Sequence, residues 1–502
     1  MILKRQATRR QEAILGILCL AAALLLTSPL IAWSADEARR GLTEPQPLSE
    51  AALSEAEAAI VPPAAAPAVE NSPAAPNTPA QSLAVPTTIL GQAQLDLNAL
   101  AQDYSIDDVD NIRWPLVRRS ASAGEVYHPD TGVDWAALRP IGQSGTILLP
   151  AGFAWSFNET FQRGPGYKDA LGVLAGGHCA LATAFRAAAA QAGLSTESLP
   201  HARPFPGYPL EQTVNIWWGR DDLVVRNTTG QDLVFVWTLS ADRLEVTLAP
   251  ASDSLVSPLP DWRGATVTTV YGHPGPGGWG SLGETVIADH ALHSARTFGG
   301  RVDEWNGGKP VVVSVNPNIA MLGDVMKRDL YLYYLIAEAR RQGYYVMLDV
   351  QTGSLPPLPL FESLMDKYLQ ENVWFDWDIE HTTGGQVDAE QLNQVAAAYF
   401  ARRQAAGYRT PGLFGFYVFK NSQITNPTAV RRQYDNGVVI PIFDGFGPPA
   451  EKIAKTSLII SQFGDGPYGI MEFETRWGTK YDTIPAREYF GALSDTLIMA
   501  SQ

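Results

Sequence analysis

Asp376, Asp378 and Glu380 stand two residues apart in the run Val373-Trp-Phe-Asp-Trp-Asp-Ile-Glu380. On an extended strand, residues two apart face the same way. The spacing predicts three carboxylates on one face with Trp374 beneath them. Phe375, Trp377 and Ile379 then face the other way, towards covering helices. Crowded carboxylates on an interior face repel one another, and at least one then holds its proton more tightly. A retained carboxylic acid can protonate a leaving oxygen, the step that glycoside hydrolysis needs. In that reading Trp374 is placed to stack on a sugar ring. The alternative for the same residues is a solvated cluster, or one that binds a cation or a buried arginine.

Other polar residues close neighbouring apolar runs: Asp349 with Gln351, Asp444, and Glu472 with Glu474. The runs are 311–315, 345–349, 373–378, 413–418, 438–443, 457–461 and 469–473. Helical stretches at 331–342, 389–406 and 429–434 fall between them. Repeated β–α units argue for a parallel sheet with helices outside. The expectation is a (β/α) barrel, complete or trimmed, over 309–502, with an open doubly wound sheet as the alternative. In a barrel, catalysis sits at the carboxyl ends of the strands. Glu380, Asp378 and Asp376 are thus the catalytic candidates, and Trp374, Asp349, Asp444 and Glu472 the substrate-binding ones. Arg476 to Asp482 reads as a packed closing turn. No Gly-x-Gly-x-x-Gly follows a strand, so no cofactor is predicted.

The Asp-x-Asp-x-Glu spelling resembles the catalytic strand of family 18 chitinase-like hydrolases. That resemblance implies Glu380 as proton donor and Asp378 as the group orienting a substrate acetamido group. The aspartate that usually begins the motif falls at Val373 here. The Asp378–Glu380 pair is also similar to the strand ending of muramidase-like barrels.

A second candidate lies at Cys179, just after Gly176, Gly177 and His178, where the spacing predicts a helix over 178–192 stopped by Gly193. A thiol at a helix N-terminus is favoured as thiolate. With His201 a loop further on, Cys179 has the residue types for nucleophilic acyl transfer. A small buried apolar cysteine is the plainer alternative. Strands are predicted at 147–150, 155–158, 214–218, 223–226, 233–237 and 244–248, with a lead-in at 111–116, giving an α+β unit over 104–260. The order of these pieces resembles the VanW-like domain of bacterial envelope proteins. By that resemblance the glycine-rich segment, Cys179 and His201 occupy family positions. His178 and Ala180 depart from the apolar residue and the glutamine usual beside the cysteine.

Residues 261–308 read as a glycine-rich connection, in which Asp289, His290 and His293 make only a weak sketch of a metal corner. No metal is predicted. With 502 residues, 46% of them hydrophobic, two folded domains are the fair prior. A net charge of -15 argues against a nucleic-acid partner. Two cysteines, one in an apolar N-terminal run, make no disulfide framework. Lys4, Arg5, Arg9 and Arg10 precede the apolar run 13–33, so 1–34 reads as a signal peptide or signal anchor that places the rest outside the membrane. The Ala- and Pro-rich stretch 35–103 reads as a disordered linker, with a brief helix around 48–59. Together these readings imply an extracytoplasmic protein of the cell envelope, attached to the membrane through its N-terminal helix or secreted. Its expected partner is cell-wall glycan or peptide, cleaved by the carboxylates. The alternatives are a non-catalytic surface binder and acyl transfer through Cys179.

Overall fold

The computed structural model describes residues 88–104, 143–161, 176–472 and 496–501, apart from short stretches at 218–219, 241, 253–255, 274–278, 281–287, 305, 320–324, 383, 445–448 and 465. The signal or anchor segment, most of the linker, the 111–116 lead-in and the 476–482 turn lie outside these residues. Among the described residues, no helix is long and apolar enough to cross a membrane.

The first part begins with β1 (Gly91–Asp96) and α1 (Leu97–Tyr104). It continues with β2 (Gln143–Leu149), β3 (Ala154–Ser156), α2 (Gly176–Gln191), β4 (Ser195–Glu197), β5 (Val224–Arg226), β6 (Leu233–Leu239) and β7 (Arg243–Pro250). The order β1-β7-β6-β2 is antiparallel throughout, and β3-β5-β4 form a smaller antiparallel sheet. β1 alternates buried and exposed residues, which turns Ala93 and Leu95 into the core. The alanines of α2 let it lie close to that strand. A side chain at Gly91 would come within 2.0 Å of the Ala188 carbonyl oxygen, so only glycine fits. Trp155, Phe161, Phe185 and Phe235 pack with ring centroids 5.2–6.3 Å apart.

Eight strands of the described residues then form a ring. They are β8 (Thr266–His273), β9 (Val311–Pro317), β10 (Tyr345–Val350), β11 (Val373–Asp378), β12 (Gly412–Val418), β13 (Gly437–Asp444), β14 (Tyr468–Glu472) and β15 (Thr496–Ser501). Each pairs in parallel with the next; β15 returns to β8, and β8 pairs β9. Between the strands lie α3 (Ala288–Asp303), α4 (Val325–Gln342), α5 (Pro357–Tyr368), α6 (Ala389–Ala405) and α7 (Pro449–Ile460). Strand residues facing these helices, such as Phe375, Trp377 and Phe414, join the outer core, while Met347, Trp374 and Ile442 fill the ring. At the amino-terminal end Trp374 stacks on Tyr345 at 3.9 Å, and Trp262 meets it edge-on at 6.5 Å. Trp262 is held by its Nε1–H, which donates to the Pro411 carbonyl at 2.8 Å. The two parts meet where α4 lies against β2 and β3, with Phe153 and Tyr333 rings 4.5 Å apart.

This topology corrects the expected fold and its divisions. The α+β part starts at Gly91, inside the stretch assigned to the linker, and 214–217 is not a strand but carries one isolated bridge, Trp217 to Asp221. The stretch assigned to a connection carries β8 and α3, so the ring starts at Thr266 rather than near 309, and it is closed rather than trimmed or open. Residues 457–460 are helical, the end of α7. Residues 429–434 are not a helix; they hold the end of a single 3₁₀ turn and a two-residue strand.

Candidate functional site

Strand alternation carries Asp349 up from Tyr345 and Met347, and Asp376 and Asp378 up from Trp374, all facing into the ring at the carboxyl end. Asp349 and Asp376 are register partners on β10 and β11. Gly415 of β12 makes room beside them: a side chain there would come within 2.8 Å of the Asp376 Cβ.

Asp349 is fully buried. Its Oδ2 accepts from Tyr271 Oη at 3.0 Å and from Asn318 Nδ2 at 2.7 Å. Burial, then the charges of Asp376 and Asp378, push its proton affinity well above the usual carboxylate range. Asp376 is also fully buried. Asn316 Nδ2 donates to its Oδ2 at 3.0 Å and to Tyr417 Oη at 2.8 Å. Burial pushes Asp376 up to about 7, against the lowering effect of the Asn316 hydrogen bond. The hydroxyls of Tyr271 and Tyr417 are held in their protonated form first by burial and then by these carboxylates.

Asp378 ends β11 and reaches the mouth, 7% exposed. Gln351 Nε2 donates to its Oδ2 at 2.9 Å, and the Glu380 backbone N–H to its Oδ1 at 3.1 Å. His381 Nε2 lies 3.7 Å from Oδ2. Burial raises the Asp378 proton affinity, and His381 opposes the rise. The loop after β10 is fastened to the turn after β11 by Gly353 N–H donating to the His381 carbonyl at 2.9 Å and by Thr352 and Thr382 hydroxyls 2.9 Å apart. That fastening sets Gln351 against Asp378.

Two expectations for this end are corrected, and two further candidates lie outside the described side chains. Glu380 does not share the strand face, because β11 stops at Asp378 and 379–381 form a 3₁₀ turn capped by the Asp378 carboxyl. It sits exposed on the rim, where partial burial and then Asp378 raise its proton affinity while His381 and Lys420 lower it. Trp374 is sealed at the far end of the ring and has no surface on which a ligand could stack. Asp444 and Glu472 do end strands β13 and β14, but their side chains lie outside what the structure describes. The residues that sequence reasoning missed are Tyr271, Asn316, Asn318, Tyr417 and His381. The pair Asn316 and Asn318 had a signal: two amides two apart closing an apolar run.

Asp378, Glu380 and His381 each offer one ligand atom, and those atoms lie within 4.8 Å of one another, a spacing that could hold a cation. Gln351 and the Glu380 amide orient the Asp378 carboxyl, and we read the trio as proton-handling groups. His293 belongs to no such group among the described residues; its ring nitrogens lie 3.5 Å from Arg296 and Thr297 on its own helix.

Cys179 and His201 are not joined. Cys179 is 1% exposed in the core beneath α2, where the Ile216 N–H donates to Sγ at 3.3 Å. Burial pushes its thiol up to about 11, against thiolate chemistry. His201 is buried and stacks on Phe205 at 4.8 Å; its Nδ1 lies 3.1 Å from the Arg203 carbonyl. Burial lowers its proton affinity.

No protein-family model matches the chain, and no curated protein matches it. Among solved structures it is similar to an oxaloacetate acetylhydrolase, at 12% identity and TM-score 0.32, over 47% of this chain and 74% of that one. It is similar also to a 2,3-dimethylmalate lyase, a PEP mutase/isocitrate lyase superfamily member. The trigonal form gives 13% identity and TM-score 0.30 over 47% of this chain and 73% of that one. The triclinic form gives 13% and 0.28, over 47% and 75%. With Trp374 sealed, Glu380 off the strand and Cys179 buried, the expectation that the carboxylates cleave wall glycan or that Cys179 transfers acyl groups is withdrawn.

Proposed function

We propose that the carboxyl-end mouth of the ring is the active site of an enzyme that moves protons on a small polar substrate without net negative charge. The observation that carries this reading is the placement of Asp378. Of the three buried aspartates described inside the ring it alone stands at the open end, with both oxygens oriented by Gln351 and the Glu380 amide. Its raised proton affinity brings it nearer the pH at which a carboxyl can both give and take a proton. Glu380 and His381 flank it as groups able to pass that proton to solvent. Charge selects the substrate. Among the described residues, Asp378 and Glu380, with at most one charge shared by Asp349 and Asp376 below them, stand against His381 and Lys420, so an anion meets net repulsion.

Asp378→Asn keeps the shape and removes the titrating group. For a substrate found by screening neutral and cationic polar compounds, turnover is expected to fall about 10²–10⁴-fold, the usual worth of a positioned acid or base. Unchanged turnover, or a substrate set made up only of dicarboxylates, rejects the reading.

We also propose that the amino-terminal part is kin to the VanW-like domain. The support is the succession of strand, glycine-rich helix start with Cys179, His201 and paired strands. A solved VanW-like domain whose sheet departs from the order β1-β7-β6-β2 would refute it.

A further inference from the structure

The hydrogens around the two deepest aspartates can be counted. Asn316 spends both amide hydrogens, on Asp376 Oδ2 and Tyr417 Oη; Asn318 spends both of its own, on Asp349 Oδ2 and Tyr271 Oη. Tyr271 spends its hydroxyl hydrogen on Asp349 Oδ2, and Tyr417 turns its own towards Asp376. Four buried oxygens are left bare: Oδ1 of Asp349, Asp376, Asn316 and Asn318. Flipping either amide exchanges its atoms but adds no hydrogen. A buried acceptor without a donor is costly, and two buried carboxylate charges side by side cost far more. Asp349 and Asp376 are register partners on adjacent parallel strands, which run about 4.8 Å apart.

We propose that Asp349 and Asp376 share a proton between their carboxyls, so that at neutral pH the pair carries at most one negative charge and supplies the hydrogen its bare oxygens lack. The groups facing the pair are Tyr271 on β8, Asn316 and Asn318 at the end of β9, Tyr417 on β12, and Asp378 above it with Gln351, Glu380 and His381 around the rim. Among the described residues, none of the direct partners is a lysine or arginine. The pair acts as a pH-sensitive element under the mouth. With its proton in place, the charge below Asp378 is small; with the proton gone, added negative charge drives Asp378 towards its neutral form. This holds whether or not the mouth is catalytic.

The sign follows from proton linkage. Above the ordinary carboxylate range the unfolded chain has lost both protons while the folded pair keeps one. Folding stability therefore falls as pH rises from the ordinary carboxylate range through about 7, since burial pushes Asp376 up to about 7 and raises Asp349 well above its usual range. Asp376→Asn and Asp349→Asn each supply fixed amide hydrogens that do not titrate. Urea unfolding of the whole chain at about pH 5 and about pH 9 is the test. The folding equilibrium of each variant, relative to the unaltered protein, is expected to improve with rising pH, by up to roughly tenfold per unit. A parallel pH dependence in all three proteins overturns the proposal. Should the variants not fold, infrared spectroscopy of the unaltered protein decides. A protonated-carboxyl band persisting at neutral pH and fading in alkali supports the pair, and the absence of such a band at neutral pH overturns it.

Discussion

A thiol in the first turn of a helix gains from the helix dipole by about 1 kcal/mol at most in ordinary cases. Burial of Cys179 acts the other way and wins, raising the thiol to about 11. At about pH 8 that leaves a thiolate population some 100-fold below that of a free cysteine. A thiol reagent is therefore expected to label Cys179 in folded protein at least ~100-fold more slowly than in urea, by mass-spectrometric time course. Equal rates would mean the thiol is open. The Asp pattern was legible at this scale: Trp374, Asp376 and Asp378 do share a face, because alternation is a property of any strand. Glu380 was not legible, since nothing in Asp-x-Asp-x-Glu marks where the strand gives way to a 3₁₀ turn. Tyr271 and Tyr417 were hidden because an aromatic in an apolar run reads as core until its hydroxyl partner is known.

Elements are held by contacts that periodicity does not show. Arg403, in the last turn of α6, is 1% exposed. Its Nη1 donates to the Glu371 and Val373 carbonyls at 3.1 and 3.2 Å, and its Nη2 to the Thr410 carbonyl at 2.9 Å. One guanidinium thus fixes the start of β11 and the approach to β12. Arg403→Ala would strip several buried carbonyls of their donor, a loss of about 3 kcal/mol or more. Arg403→Lys should recover only part, because an ammonium cannot span the same fork. Urea midpoints give the ranking; equal midpoints for Arg and Ala would contradict the role. A similar lesson applies to 457–460, where Leu-Ile-Ile reads locally as strand. Pro449 starts a helix eight residues earlier, and packing carries it through the β-branched run.

The ring as a whole explains why its first strand was read as loop. Thr266-Val-Thr-Thr-Val-Tyr-Gly-His is rich in threonine and is followed by glycines, so it looks like connection. Yet Thr266, Thr268 and Thr269 are fully buried, since β8 has strand neighbours on both sides and is covered within and without. Closure makes each strand depend on two others, and removing one exposes two edges at once. A fragment spanning 309–502 lacks β8, the strand that joins β15 to β9. It is expected to show no cooperative thermal transition by circular dichroism. A fragment spanning 257–502 restores the ring but uncovers the α4 surface on which Phe153 rests, so it should melt cooperatively at a lower temperature than the whole chain. A cooperative melt for 309–502 would show that the sheet is stable when open, and the placement of Asp349, Asp376 and Asp378 would then not depend on closure.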